Sequence, residues 1–160
     1  VLEARLDRLK QRIKIDLSTD DVITPSAIRY SYRLMFEDRS IELMTYTPET
    51  LLAEKIQTIL ARGITTTRMR DYYDVYEIVV GNKVSIDKEV LAEAFTATCM
   101  KRKTIFGSEQ IEKIVNEISA DEGLLNLWDL YKNDNFYVGD IKWTVVCEAV
   151  CAYIKDNISK

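Results

Sequence analysis

Apolar and polar residues alternate over two stretches near the start of the chain, and further on they change to a helical spacing. In RIKIDL, from Arg12 to Leu17, Ile13, Ile15 and Leu17 fall on one side and Lys14 and Asp16 on the other. That is the period of a half-buried strand. STDDVITP interrupts it. A second alternating run then puts Ile28, Tyr30, Tyr32, Leu34 and Phe36 on one face. Glu37, Asp38 and Arg39 read as a turn and SIELMTY as the returning strand, which predicts a β-hairpin. Ahead of these runs, Leu2, Leu6 and Leu9 recur at helical spacing and predict a helix over about Leu2 to Lys10.

After Tyr46 the pattern is helical. Thr47, Pro48 and Glu49 supply a capping hydroxyl, a proline at the first helical position and an acid in the first turn, so a helix is predicted from Pro48 to about Arg62, ending at Gly63. A threonine-rich link leads to a helix beginning near Arg70 and ending at Gly81-Asn82. Further helices are expected to start near Asp87, Ser108, Asp121 and Asp140, separated by KRKT, SADEG and KNDNFYVGD. The fold expected is α+β, a partial sheet with a hairpin followed by a C-terminal helical bundle, with a boundary between residues 1–82 and 83–160.

On a helical wheel, Leu51, Leu52, Ile56, Ile59 and Leu60 form one apolar arc of the first long helix. Lys55 falls inside that arc, Arg62 lies beside it two turns on, and Glu54 and Gln57 point away. On the next helix Tyr72, Val75, Tyr76, Ile78 and Val79 form the arc, Asp71 falls within it and Asp74 on its border. Consecutive helices thus turn ionisable groups of opposite sign inward. A lysine on an apolar face is costly unless it snorkels or meets an anion. The plainer reading is a buried Lys55–Asp71 ion pair without chemistry. The sharper one is a site in which Arg62, Arg68 and Arg70 add phosphate-binding capacity.

Composition narrows the chemistry. At 160 residues, 47% apolar and 30% charged, the chain has the material for a packed core. It has no apolar run long enough for a membrane span and no secretory leader is visible. The three cysteines, Cys99, Cys147 and Cys151, read as reduced thiols of a cytoplasmic protein, the last two sharing a helix face. A net charge of −4 argues against binding nucleic acid by bulk charge, though a local basic patch stays open. There is no histidine, which excludes Ser-His-Asp and Cys-His catalysis and histidine-ligated metals. Catalysis would have to use carboxylates, Lys, Arg or Tyr.

KIDLS, the hairpin ending in EDRSIELMTYTPETLLAEKIQTILAR, and TRMRDYYDVYEIV together resemble the AbiEii/AbiGii toxin family of nucleotidyltransferases, strongly from Lys14 to Val80 and more weakly through LWDLYKNDNFYV. The resemblance implies a nucleotidyltransferase-like α/β domain followed by a helical domain. It implies a toxin of a toxin–antitoxin pair, with links to abortive infection and phage defence, that transfers nucleotides from NTPs, in some relatives to tRNA. Residue by residue, it implies Lys55, Asp71 and Asp74 as catalytic. It further implies Lys55, Arg62, Arg68 and Arg70 as nucleotide-binding, and Asp16 as a ligand of Mg²⁺. A cognate antitoxin is the implied protein partner.

The chain also departs from the family pattern. The family's Gly-Ser turn and Asp-x-Asp pair are missing upstream; the single Gly-Ser, Gly107-Ser108, lies in the helical tail. Val1 is therefore expected to begin partway through the catalytic domain, and this chain alone to be inactive in nucleotide transfer. An unpaired strand around Ile13 to Leu17 is expected to favour self-association. The alternative function is a non-catalytic helical module that binds an antitoxin or another protein.

Overall fold

In the computed structural model, residues 2–15, 17, 22–81 and 84–159 are described. Among the described residues the chain forms two antiparallel hairpins followed by six α-helices, the α+β order expected from the sequence. The first hairpin pairs β1 (Leu2–Leu6) with β2 (Leu9–Ile13), and Leu2 faces Ile13 across the ladder. The helix expected over Leu2 to Lys10 is therefore not formed. A spacing of four residues fits a strand as well as a helix, since four is a multiple of two. The two residues Asp7 and Arg8 supply a hairpin turn, with Asp7 at a positive φ of 54°. The strand expected over Arg12 to Leu17 is also shorter, ending at Ile13. Its predicted half-burial is not seen, because Ile13, Ile15 and Leu17 are all exposed.

The second hairpin follows its prediction closely. β3 (Ile28–Arg33) pairs with β4 (Ser40–Thr45), with Tyr30 opposite Leu43 and Tyr32 opposite Ile41. The Leu34 amide donates to the Arg39 carbonyl and closes the turn, and Arg33 pairs with Asp38 across it.

The helical part holds the core. α1 (Pro48–Arg62) begins at Thr47, whose hydroxyl accepts the Thr50 amide, and ends at Gly63, whose φ of 49° favours a residue without Cβ. α2 (Met69–Val80) follows a single 3₁₀ turn at Gly63–Thr65. α3 (Lys88–Lys101) and α5 (Glu122–Asp134) are capped by the side chains of Asp87 and Asp121; α4 spans Ser108–Ala120 and α6 Trp143–Ile158. α1 packs on α3 and α2, α2 packs on α6, and α4 and α5 close against α6. One connected cluster results, from Leu52 and Ile56 of α1 through Tyr72 and Val75 of α2 to Trp128 of α5 and Val150 of α6. Cys99, Cys147 and Cys151 are free thiols within it, as expected. Among the described residues, no helix is long and apolar enough to cross a membrane.

Polar ties fix where α1 sits. The Glu49 carboxylate accepts the Asp87 amide at 3.0 Å, joining the starts of α1 and α3. Gln57 does not point away as the wheel suggested. It is buried, accepts from Arg102 at 2.5 Å and donates to Thr104 at 3.2 Å, because the end of α3 returns over that face of α1. The loop ahead of β3 is clasped to α1 by two threonines. The Thr50 hydroxyl accepts the Thr24 amide at 3.1 Å and donates to the Thr24 carbonyl at 2.7 Å, and Thr47 donates to the same carbonyl at 3.2 Å.

Thr50→Val keeps the shape and removes both Thr50 bonds to Thr24. At about 1 kcal/mol per hydrogen bond, the expected outcome is a large loss of hydrogen-exchange protection at the Thr24 amide with a small change in Tm. Unchanged protection at that amide would show that the clasp is not what holds the loop.

Candidate functional site

The inward lysine of α1 meets α2. Lys55 Nζ lies 2.5 Å from Asp74 Oδ2 and 3.5 Å from Asp71 Oδ1, spanning the two helices at mid-length of α1. The short link makes this possible. Gly63 ends α1, the Thr66 amide bonds back to the Gly63 carbonyl, and the Thr66 hydroxyl accepts the Arg68 amide. Arg68 then stands at the cap position of α2, and the next turn presents Asp71 and Asp74 to Lys55.

Asp71 is the most enclosed member, with 4% of its side chain exposed, as its place in the apolar arc indicated. Arg68 grips it through Nε at 2.6 Å to Oδ2 and Nη2 at 3.3 Å to Oδ1, a two-point contact. That hydrogen bond and the Asp71 charge hold the Arg68 guanidinium even more firmly protonated than usual, against a small opposing effect of burial. Asp74 is more open and also faces Arg70 Nε at 3.7 Å. Asp71 and Asp74 near the start of α2 are therefore more than complements to its dipole: their charges lock α1 to α2 and position the arginines.

The cluster lines an open cleft of about 560 Å³, together with Leu51, Glu77 and Ile78. Lys55, Arg68, Arg70, Asp71 and Asp74 are all brought together there. Arg62 is not; it lines a separate cleft with Gly63, Thr104 and Phe106 at the far end of α1. Seven residues of helix, about 10 Å at 1.5 Å each, separate it from Lys55. Asp16 lies outside the described residues. Glu77, not singled out from the sequence, also lines the cleft; it stands three residues after Asp74, and that i, i+3 spacing was the available signal.

The donor set does not form a metal cage. Both oxygens of Asp71 are taken up by Arg68, with Lys55 beside them, and Asp74 Oδ2 is held by Lys55. Among the described residues no group of three or more His, Cys, Asp or Glu is placed to hold a metal ion. What the arrangement offers is a cleft wall where Lys55, Arg68 and Arg70 stand among Asp71, Asp74 and Glu77, with Arg70 the most exposed of the paired cations.

Relative exposures rank the pairs. The Lys55 side chain is 15% exposed and Asp74 26%, whereas Arg70 is 76% exposed. A double-mutant cycle with Lys55→Met and Asp74→Asn is expected to give a coupling of about 1 kcal/mol or more. The matching cycle for Arg70 and Asp74 is expected below about 0.5 kcal/mol, because water and salt screen an exposed pair. Equal couplings would mean that the shorter pair is no better shielded than the surface one.

Searches of curated proteins and of solved structures returned no match for this chain. The family described as nucleotidyl transferase AbiEii toxin, type IV toxin–antitoxin system, matches over residues 1–145. Since that match covers most of the chain, including both hairpins, the link and the Lys55 cluster, the chain belongs to the AbiEii nucleotidyl transferase toxin family of type IV toxin–antitoxin systems.

Proposed function

We propose that the cleft at Lys55 is a wall of the nucleotide pocket of a toxin that transfers a nucleotide from an NTP to an acceptor, with tRNA as the acceptor class. Family membership implies a nucleotide substrate and an antitoxin partner. The observation that carries the reading is the placement of Lys55, Arg68 and Arg70 around one open cleft, anchored by Asp71 and Asp74. Phosphoryl-group transfer depends on positioning and charge neutralisation more than on covalent help. In this reading Lys55 and the exposed arginines meet the polyphosphate. Asp71 is a positioning residue that aims Lys55 and Arg68 rather than a group that touches the reacting atoms, and Asp74 orients the lysine at the cleft mouth.

Nucleotidyltransferases of this class generally use a divalent metal. We propose Mg²⁺ as that ion, with Asp16 as the candidate oxygen donor. Mg²⁺ needs several oxygens in an octahedron, and Asp71 and Asp74 do not fit that role because protein cations already hold them. Action in the cytoplasm, in abortive infection and phage defence, belongs to the same proposal.

A specific observation favours a protein-binding role beside this one. Ile28, Tyr30 and Tyr32 of β3 lie opposite Thr45, Leu43 and Ile41 of β4, and Tyr30, Tyr32 and Leu43 are exposed. An exposed apolar two-stranded ribbon is a template for another chain. We propose self-association through it. Light scattering across a concentration series is expected to show mass rising with concentration, and Tyr30→Lys with Leu43→Lys to abolish the rise. A monomer at every concentration would refute it.

Titration of the chain with each of the four NTPs tests the pocket. Lys55→Ala is expected to weaken binding about tenfold or more, in line with loss of a charge-assisted contact worth about 1.5–3 kcal/mol, and Arg70→Ala to weaken it less. Arg62→Ala, in the other cleft, is expected to leave it unchanged. Asp71→Asn should cost about 1.5–3 kcal/mol of stability, the range for a hydrogen bond to a charged group, and remove most toxicity in cells at temperatures where the variant is still folded. If Asp71→Asn leaves the toxin fully active, Asp71 has no part in the site.

A further inference from the structure

Six aromatic rings run in one contact series from the core to the surface beside the charged cleft. Trp143 meets Trp128 at 5.8 Å between ring centres, Trp128 meets Tyr131 at 5.7 Å, and Tyr131 meets Tyr73 at 6.4 Å. Tyr73 meets Tyr137 at 5.4 Å and Tyr137 meets Phe136 at 6.1 Å. The inner end is buried, while Tyr137 is 48% and Phe136 94% exposed. Exposed apolar side chains are common on this surface, Phe36 and Ile105 among them, so what sets Phe136 apart is its place at the end of this aromatic series.

The three tyrosines, though not Phe136, are held in place by hydrogen bonds. The Tyr73 hydroxyl donates to the Tyr137 carbonyl at 3.3 Å, and the hydroxyls of Tyr131 and Tyr137 share a hydrogen bond of 2.9 Å. The indole of Trp128 donates to the Ile141 carbonyl at 2.9 Å, so the segment carrying Phe136 and Tyr137 is tied down on both sides. Tyr73 lies three residues after Arg70 and directly before Asp74 on α2, which makes Arg70 and Tyr73 surface neighbours. The Tyr131 hydroxyl is held neutral well above the usual tyrosine range, by burial first and then by the Tyr137 hydroxyl. Asp74 adds to that effect and Arg70 opposes it, so the charged cleft is within electrostatic reach of the rings.

Tyr137 is inclined by 56° to Tyr73 and by 75° to Phe136, so one base meets one ring face. We propose that Tyr73, Tyr137 and Phe136 form an aromatic ledge on which the Phe136 face stacks an unpaired nucleobase whose neighbouring phosphate is met by Arg70. Exposed aromatic faces beside an exposed guanidinium are the two elements that single-stranded nucleic acids and nucleotides require. An apolar protein partner would not need the arginine at the inner edge. The base could belong to the NTP itself or to the single-stranded end of the acceptor. This inference rests on the nucleotide reading of the cleft.

The test uses the whole chain, the Phe136→Ala and Phe136→Trp variants, and three kinds of probe: a labelled single-stranded RNA hexamer, an abasic strand of equal length, and the four free NTPs. Because Phe136 is 94% exposed, its removal should leave the melting curve unchanged. The expected result is hexamer binding weakened about tenfold by Phe136→Ala, within the range for loss of one stacked base. Phe136→Trp should restore it, and the abasic strand should bind both proteins alike. NTP affinity falling while the hexamer is unaffected would support the ledge and assign the base to the nucleotide. Hexamer and NTP binding both unchanged by Phe136→Ala, equal weakening on the abasic strand, or no measurable binding of either probe to the unaltered chain would overturn it. Failure of the cleft reading is read separately, as NTP affinity unchanged in Lys55→Ala.

Discussion

A lysine on the inward side of a helix must find an anion, and in this chain that requirement sets how two helices meet. Lys55 keeps 15% of its side chain exposed at a cleft, so most of its stem is packed and its ammonium is held by carboxylates more than by water. α2 answers with two carboxylates one turn apart, and the link between the helices is short enough to bring them into register. The direction of α2 then determines where Tyr72 and Val75 enter the core and where α6 packs. Charge satisfaction and core packing thus impose one geometry. The same pairing leaves Arg68 and Arg70 on the cleft rim, so the feature that orders the fold also prepares the surface for an anion.

Local chemistry made some elements readable from the sequence. Thr47-Pro48-Glu49 and Gly63 bound α1 because a capping hydroxyl, a ring-fixed φ and a residue without Cβ each act within one turn. The β3–β4 hairpin was legible because its alternation is strict over enough residues to exclude a helix. The first hairpin was misread because leucines four apart satisfy both periods, and the turn at Asp7 and Arg8 lacks the usual glycine or asparagine. Gln57 was misplaced because its partner Arg102 lies 45 residues on, and no helical wheel contains a contact at that range.

The site divides the same way. Lys55, Asp71 and Asp74 stood out because they are charges on apolar faces, a conflict visible within each helix alone. Arg62 shares a helix and a wheel sector with Lys55, yet a wheel discards distance along the axis, and the structure puts the two in different clefts. Phe136 and Tyr137 read as linker because they fall in a polar segment between helices. Their relation to Tyr73 arises from tertiary packing across more than 60 residues.

The cluster is also close-knit along the chain. Lys55 and Asp74 are 19 residues apart and joined by one tight link, whereas α6 lies far downstream of both. Closing so small a loop costs little chain entropy, and contacts of short sequence separation form early. α1 and α2 with their ion pairs are thus suited to come together as a helical hairpin while the ribosome is still making the rest. The later helices supply the apolar cover of that pair, α3 on α1 and α6 on α2.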